Sequence, residues 1–101
     1  MKKHVRTIDD IKAAIDPVVR EYGVKRIALF GSYARGEATP KSDIDFHLID
    51  TGGIWGYFKL CGFKQALENC LGADVDVLTT GSMTGEILEK VQKDEVLVFE
   101  Q

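Results

Sequence analysis

The run LFGSYARGEATPKSDIDF, residues 29–46, constrains the fold more than any other part of the chain. A Gly-Ser pair, Gly31-Ser32, closes one short apolar run, and an Asp-x-Asp pair, Asp43 and Asp45, opens the next. Alternate side chains of a strand share a face, so the two acids point the same way, about 7 Å apart. Ile44, Phe46 and Leu48 then point into a core. The Gly-Ser turn sits at the end of the first strand and the acids at the start of the second. The two meet only if these strands run antiparallel.

A second acidic run, ADVDVL at 73–78, alternates in the same way. Asp74 and Asp76 share one face, and Val75 and Val77 the other. A helix predicted over 56–71 separates this strand from the Asp-x-Asp strand. A strand-helix-strand unit of that length favours parallel neighbours, which sets Asp76 beside Asp45. One antiparallel and one parallel pairing require a mixed sheet.

These residue types suit one kind of chemistry. Glycine lets a phosphate approach the main chain closely. Ser32 reads as the N-cap of a short helix over 33–37, whose free N–H groups attract anions. Neighbouring carboxylates repel each other unless a cation lies between them, and carboxylate oxygens with phosphate oxygens are a usual ligand set for Mg²⁺. Asp76 reads as the third ligand, with Asp74 as its competitor. Three carboxylates on one face can hold two metal ions, which activate a hydroxyl and steady a departing pyrophosphate. The whole points to an enzyme acting on a nucleoside triphosphate.

The joint pattern is Gly31-Ser32-x-Ala34-Arg35-Gly36, then Ser42-Asp43-x-Asp45, then Val75-Asp76. It resembles the minimal nucleotidyltransferases of the DNA polymerase beta superfamily. Within that superfamily it is most similar to the small prokaryotic MNT-type proteins encoded beside HEPN-domain partners. The resemblance implies an α/β (α+β) nucleotidyltransferase fold, with a small mixed sheet and helices packed mainly on one face. It implies that Asp43, Asp45 and Asp76 bind two Mg²⁺ ions (or Mn²⁺) and that Gly31 and Ser32 bind the triphosphate. It further implies transfer of AMP from ATP to a partner hydroxyl, a tyrosine in this family, by an antitoxin acting on a HEPN ribonuclease toxin. The alternative is an antitoxin that blocks its partner by contact alone. A small-molecule nucleotidyltransferase is more remote.

With 101 residues the expectation is a single domain over 1–101. On that reading no acceptor-holding domain is present, and the acceptor comes from a partner protein or a second copy, in a homo- or hetero-oligomer. The net charge of −3 argues against broad electrostatic binding of nucleic acid, which needs a basic face. Behind Met1-Lys2-Lys3, the residues His4, Arg6, Asp9 and Asp10 leave no apolar signal segment, and no apolar stretch is long enough to span a membrane. Cys61 and Cys70 fall in one predicted helix on opposite sides, roughly 13 Å apart along its axis. They read as reduced, cytoplasmic cysteines.

Elsewhere, Ile8, Ile11, Ile15, Val18, Val19 and Tyr22 recur at helical spacing. Thr7 with Asp10 forms a cap and Gly23 a stop. Pro17 either kinks this helix or opens a second turn capped by Asp16. Strands follow at 25–30 and 43–49, with Thr51-Gly52-Gly53 as a turn. Tyr57, Leu60, Phe63, Leu67, Cys70 and Leu71 form an apolar stripe on the 56–71 helix. A strand at 74–79, a short helix at 86–92 and a last strand at 96–99 complete the chain.

Several side chains carry two readings. Arg35 contacts phosphate or forms an internal ion pair. Ser42 orders the turn before Asp43 or contacts phosphate. His47 shares the face of Asp43 and Asp45 but reads as an edge residue rather than a ligand or base, and His4 carries no functional signal. Trp55, Tyr57 and Phe58 read as packing, or as an exposed aromatic cluster for a partner. Glu86, Glu89, Lys90 and Lys93 read as a solvated helix face.

Overall fold

The computed structural model describes residues 5–101, so His4 lies outside the described residues. Helix α1 (Ile8–Glu21) begins with the cap the sequence suggests. The Asp10 amide donates to Thr7 Oγ1 at 3.0 Å, and the Thr7 amide donates to the Asp10 carboxylate at 3.3 Å. The exchange satisfies two amides that an open helix start leaves unpartnered. Gly23, at φ +72°, follows the helix end. Pro17 lies inside one unbroken helix, and Asp16 caps nothing: its carboxylate pairs with Arg20 at 2.9 Å. The lost backbone bond at Pro17 is outweighed by Ile11, Ile15 and Val19, all fully buried on the inner side.

Strand β1 (Arg26–Phe30) runs directly into a short helix, α2 (Gly31–Arg35). Here the sequence reading needs correction. The helix starts at Gly31 rather than Tyr33, Phe30 occupies the cap position, and Ser32 makes no capping bond. Gly31 makes the bend itself, at φ +73°, which places Ser32 one residue inside the helix, past the position from which a side chain caps.

Strand β2 (Ile44–Asp50) lies antiparallel to β1, with Leu29 opposite Phe46 and Phe30 opposite Asp45. Helix α3 (Tyr57–Leu71) then carries the chain to β3 (Val75–Thr79), which pairs with β2 in parallel. Past a 3₁₀ turn (Thr80–Ser82), helix α4 (Gly85–Asp94) leads to β4 (Val96–Glu100), antiparallel to β1. The strand order is β3-β2-β1-β4, a mixed sheet as expected.

The core lies between one sheet face and helices α1 and α3. Ile27, Leu29, Ile44, Phe46 and Leu48 meet Phe63, Leu67 and Leu71 of α3 and the buried row of α1. The seam on α3 is narrower than the apolar stripe predicts. Tyr57 and Cys70 fall on its opposite flanks and are exposed, and Cys61 and Cys70 are both free thiols. The aromatic segment divides as well. Trp55 packs between Tyr22 and Phe63, with ring centroids 5.8 and 5.1 Å away, and its indole N–H donates to the Thr51 carbonyl. Tyr57 and Phe58 remain 75% and 88% exposed. Among the described residues no helix is long and apolar enough to cross a membrane.

Candidate active site

The other face of the sheet carries the acids. Asp43 is exposed just before β2, Asp45 is half-buried within it, and Asp76 is exposed on β3. The parallel register puts Asp45 directly beside Asp76. The Ile44 amide donates to the Asp74 carbonyl at 3.0 Å, which locks the starts of the two strands together. Asp74, like Asp76, is exposed, but it lies two residues before Asp76, ahead of the register pair with Asp45. The topology therefore brings Asp43, Asp45 and Asp76 to one end of the sheet.

Gly31 closes on this row from β1. A Cβ at Gly31 would collide with Oδ2 of Asp45, so the backbone of the turn and the carboxylate share one small space. Burial holds the Asp45 carboxyl well above its usual range, at about 6, and the charges of Asp76 and Asp43 push in the same direction. Arg35 opposes them weakly. The strain is electrostatic: three anions share a partly dry corner with too little positive charge nearby.

This is the setting in which a divalent cation is stabilising. Among the described residues no three His, Cys, Asp or Glu side chains converge closely enough to hold a metal ion by themselves. The row is open, spread over two strands, and its oxygen donors fit a hard cation that takes further ligands from phosphate.

Ser42 orders the turn: its Oγ accepts from the Thr39 amide at 2.8 Å. Arg35 forms the ion pair that was one of its two readings, to Glu37 at 2.9 Å and, more loosely, to Asp94 at 3.8 Å. Ser32 is half-buried in the first turn of α2. Next to Gly31 opens a cleft of about 390 Å³, lined in part by Phe30 and Val91. Arg35 lines one side, and Lys90, Lys93 and Asp94 of α4 line the other. Lys90 and Lys93 are exposed, as expected, and border this cleft. Glu86 and Glu89 are exposed, as expected.

His47 was misread as an edge residue. Strand β2 has a neighbour on each side, and His47 is 1% exposed, the one buried polar side chain among the described residues. Its Nδ1 lies 2.9 Å from Oε1 of Glu95 and its Nε2 2.7 Å from Oγ1 of Thr80. The alternation with Asp43 and Asp45 marked the right face. No local pattern could have supplied partners 33 and 48 residues away.

Known proteins resemble this chain over most of its length. The model of the nucleotidyltransferase domain family matches residues 11–98. A Methanocaldococcus jannaschii protein provisionally named as a protein adenylyltransferase is 39% identical over 91% of this chain and 98% of its own length. Protein adenylyltransferase MntA of Thermococcus cleftensis is 37% identical over 90% of this chain and 92% of its own. Among solved structures, one provisionally named a minimal nucleotidyltransferase is 26% identical, with a TM-score of 0.75, covering 90% of this chain and 95% of that one. A tri-AMPylated Shewanella oneidensis HEPN toxin in complex with MNT antitoxin gives a TM-score of 0.72 at 20% identity, over 94% of this chain and 74% of that one. This last likeness is one of fold.

Proposed function

The chain belongs to the nucleotidyltransferase domain family, and from that premise we propose that it transfers AMP from ATP to a hydroxyl of a HEPN-domain toxin, acting as the toxin's antitoxin. The observation that carries the reading is the Asp45–Asp76 register pair, with Asp43 beside it and Gly31 pressed against Asp45. The adenylyltransferase names of the relatives support the reaction. The AMPylated HEPN toxin bound to an MNT antitoxin supports the acceptor.

Asp43 and Asp45 would hold two Mg²⁺ ions, with Asp76 on the one nearer the acceptor. Bound there, the ions supply charge neutralisation for the triphosphate and acidify the acceptor hydroxyl. The chain's own residues do the rest. Gly31, having no Cβ, lets the triphosphate lie against the backbone, and Ser32 offers its hydroxyl there. Arg35, paired with Glu37 and more loosely with Asp94, would exchange these partners for phosphate. Ser42 acts through the turn that sets Asp43.

In the transfer itself, the acceptor oxygen forms a bond to the α-phosphorus. The bond from that phosphorus to the α–β bridging oxygen breaks, and pyrophosphate leaves with the electron pair. The acceptor proton passes to the Asp76 carboxylate and on to solvent, which reaches this exposed group freely. Positioning and charge stabilisation carry most of the rate. The free thiols of Cys61 and Cys70 suit a reducing cytoplasm.

The test uses the protein with its HEPN partner, Mg²⁺ and labelled ATP, and weighs the partner by mass spectrometry. The expected result is added AMP on a partner hydroxyl, absent with Asp76→Asn. A stable complex with no mass change, and toxin inhibition that survives Asp76→Asn without ATP, would establish blocking by contact instead.

A further inference from the structure

The triphosphate must lie beside three carboxylates, so its far end needs positive charge from elsewhere. We propose that Lys90 and Lys93 of α4 bind the β- and γ-phosphates, which makes the cleft between α2 and α4 the seat of the departing pyrophosphate. This rests on the nucleotidyl-transfer reading of the site and extends it to residues outside the sequence motif.

Three observations carry it. The first is position: both lysines line the cleft that Gly31 and Arg35 also line. Three residues apart on a helix, they lie on one side of α4. The second is charge. The chain as a whole is acidic, at −3, yet this cleft gathers three cations against one carboxylate, Asp94. Glu86 and Glu89, each one turn earlier, are within helical reach of Lys90 and Lys93. Among the described residues neither lysine has an ion-pair partner, whereas Arg35 pairs with Glu37 and, more loosely, with Asp94. Phe30 and Val91 add apolar lining to the same cleft.

The third is rigidity. Thr84 caps the start of α4, accepting from the Ile87 amide. At its other end Glu95 is held by buried His47, two residues from Asp45 on the same strand. The lysine-bearing helix is therefore fixed to the strand that carries the central carboxylate.

Attack at the α-phosphorus sends the bridging oxygen away with the β-phosphate. Cations at the far end of the triphosphate thus meet the charge that accumulates on the leaving group.

The test measures binding of ATP, inorganic pyrophosphate and AMP to the full chain by calorimetry in Mg²⁺. The variants are Lys90→Gln, Lys93→Gln and their double. Each single change is expected to weaken ATP and pyrophosphate binding about tenfold, the worth of one charge-assisted contact, while AMP affinity stays at the parent level. Lys90→Arg with Lys93→Arg keeps the charges and is expected to retain binding, which separates charge from folding. Lys12→Gln with Lys64→Gln, on exposed positions of α1 and α3, matches the change in net charge and is expected to change nothing.

Parent-like pyrophosphate affinity in the Lys90/Lys93 double variant would overturn the proposal. So would an equal loss in the Lys12/Lys64 control, or a loss of AMP binding alone, which would make the cleft the seat of the base. A parent protein that binds pyrophosphate through these lysines but transfers no AMP would refute the proposed function and leave this binding site standing.

Discussion

Gly31 and Asp45 occupy one space: the carboxylate of Asp45 fills the volume in which a side chain at Gly31 would begin. The same glycine holds a φ of +73°, a conformation that costs an L-residue roughly 1 kcal/mol or more. Gly36 has the same φ but open space around it, so the two glycines separate strain from collision. Gly31→Ala is expected to lose about 2–3 kcal/mol of stability and Gly36→Ala about 1 kcal/mol. Only Gly31→Ala displaces Asp45, so only it abolishes Mg²⁺-dependent ATP binding. Urea denaturation beside calorimetry checks both; equal binding by the two variants would refute the role given to the shared space.

Asp45→Asn is expected to stabilise the metal-free protein while destroying activity. The folded carboxyl titrates near 6, above the ordinary value of about 3.9, so the folded state holds its proton more tightly than the unfolded chain. Stability therefore falls as pH rises from about 4 to about 6 and is level above that. Asparagine removes the loss. After discounting for solvent screening of a half-buried group, the gain at pH 7 is about 1–2 kcal/mol, or about 5–10 °C in Tm. It vanishes below about pH 4, where both forms are neutral. Thermal melts across pH in EDTA check the sign. Adding Mg²⁺ with ATP should stabilise the parent far more than the variant.

Where a pattern is local, or where one topological rule links two patterns, the sequence reading holds. Thr7 and Asp10 cap α1 because a capping box needs only residues three apart. Asp76 reaches Asp45 because a strand-helix-strand unit runs in parallel, and that rule requires no knowledge of the core. Ser32 failed as a cap because Gly31, at positive φ, starts the helix two residues early. His47 failed because burial on a central strand depends on Thr80 and Glu95, which arrive from distant segments. Lys90 and Lys93 are exposed, as their amphipathic helix implies, but the cleft they border exists only in the packed fold.

Removing His47 tests that distant network. His47→Leu keeps bulk on a buried position but leaves the hydroxyl of Thr80 and the carboxylate of Glu95 without the ring. Loss of partners for groups shielded from water is expected to cost about 2–4 kcal/mol. Glu95→Gln keeps a hydrogen-bonding oxygen and is expected to cost about 1 kcal/mol. Chemical denaturation orders the two. A His47→Leu protein as stable as its parent would make the network incidental.

The two exposed acids of the β3 segment offer the sharpest internal control. Asp74 and Asp76 share a face, an environment and a charge, and both are exposed. Only Asp76 lies in register with Asp45, and only Asp76 is among the charges that raise the Asp45 carboxyl. Asp74 holds the strands together through its backbone carbonyl, which a side-chain change leaves intact. Asp74→Asn is therefore expected to keep AMP transfer close to the parent rate. Asp76→Asn is expected to lower it by at least about a hundredfold, since the acceptor hydroxyl loses the carboxylate that takes its proton. Asp76→Asn should also lower the Asp45 carboxyl toward the ordinary range, visible as a shifted carboxyl titration by NMR, whereas Asp74→Asn should leave it in place. Equal loss of transfer from both variants would mean that bulk negative charge, not the register pair, supports the reaction.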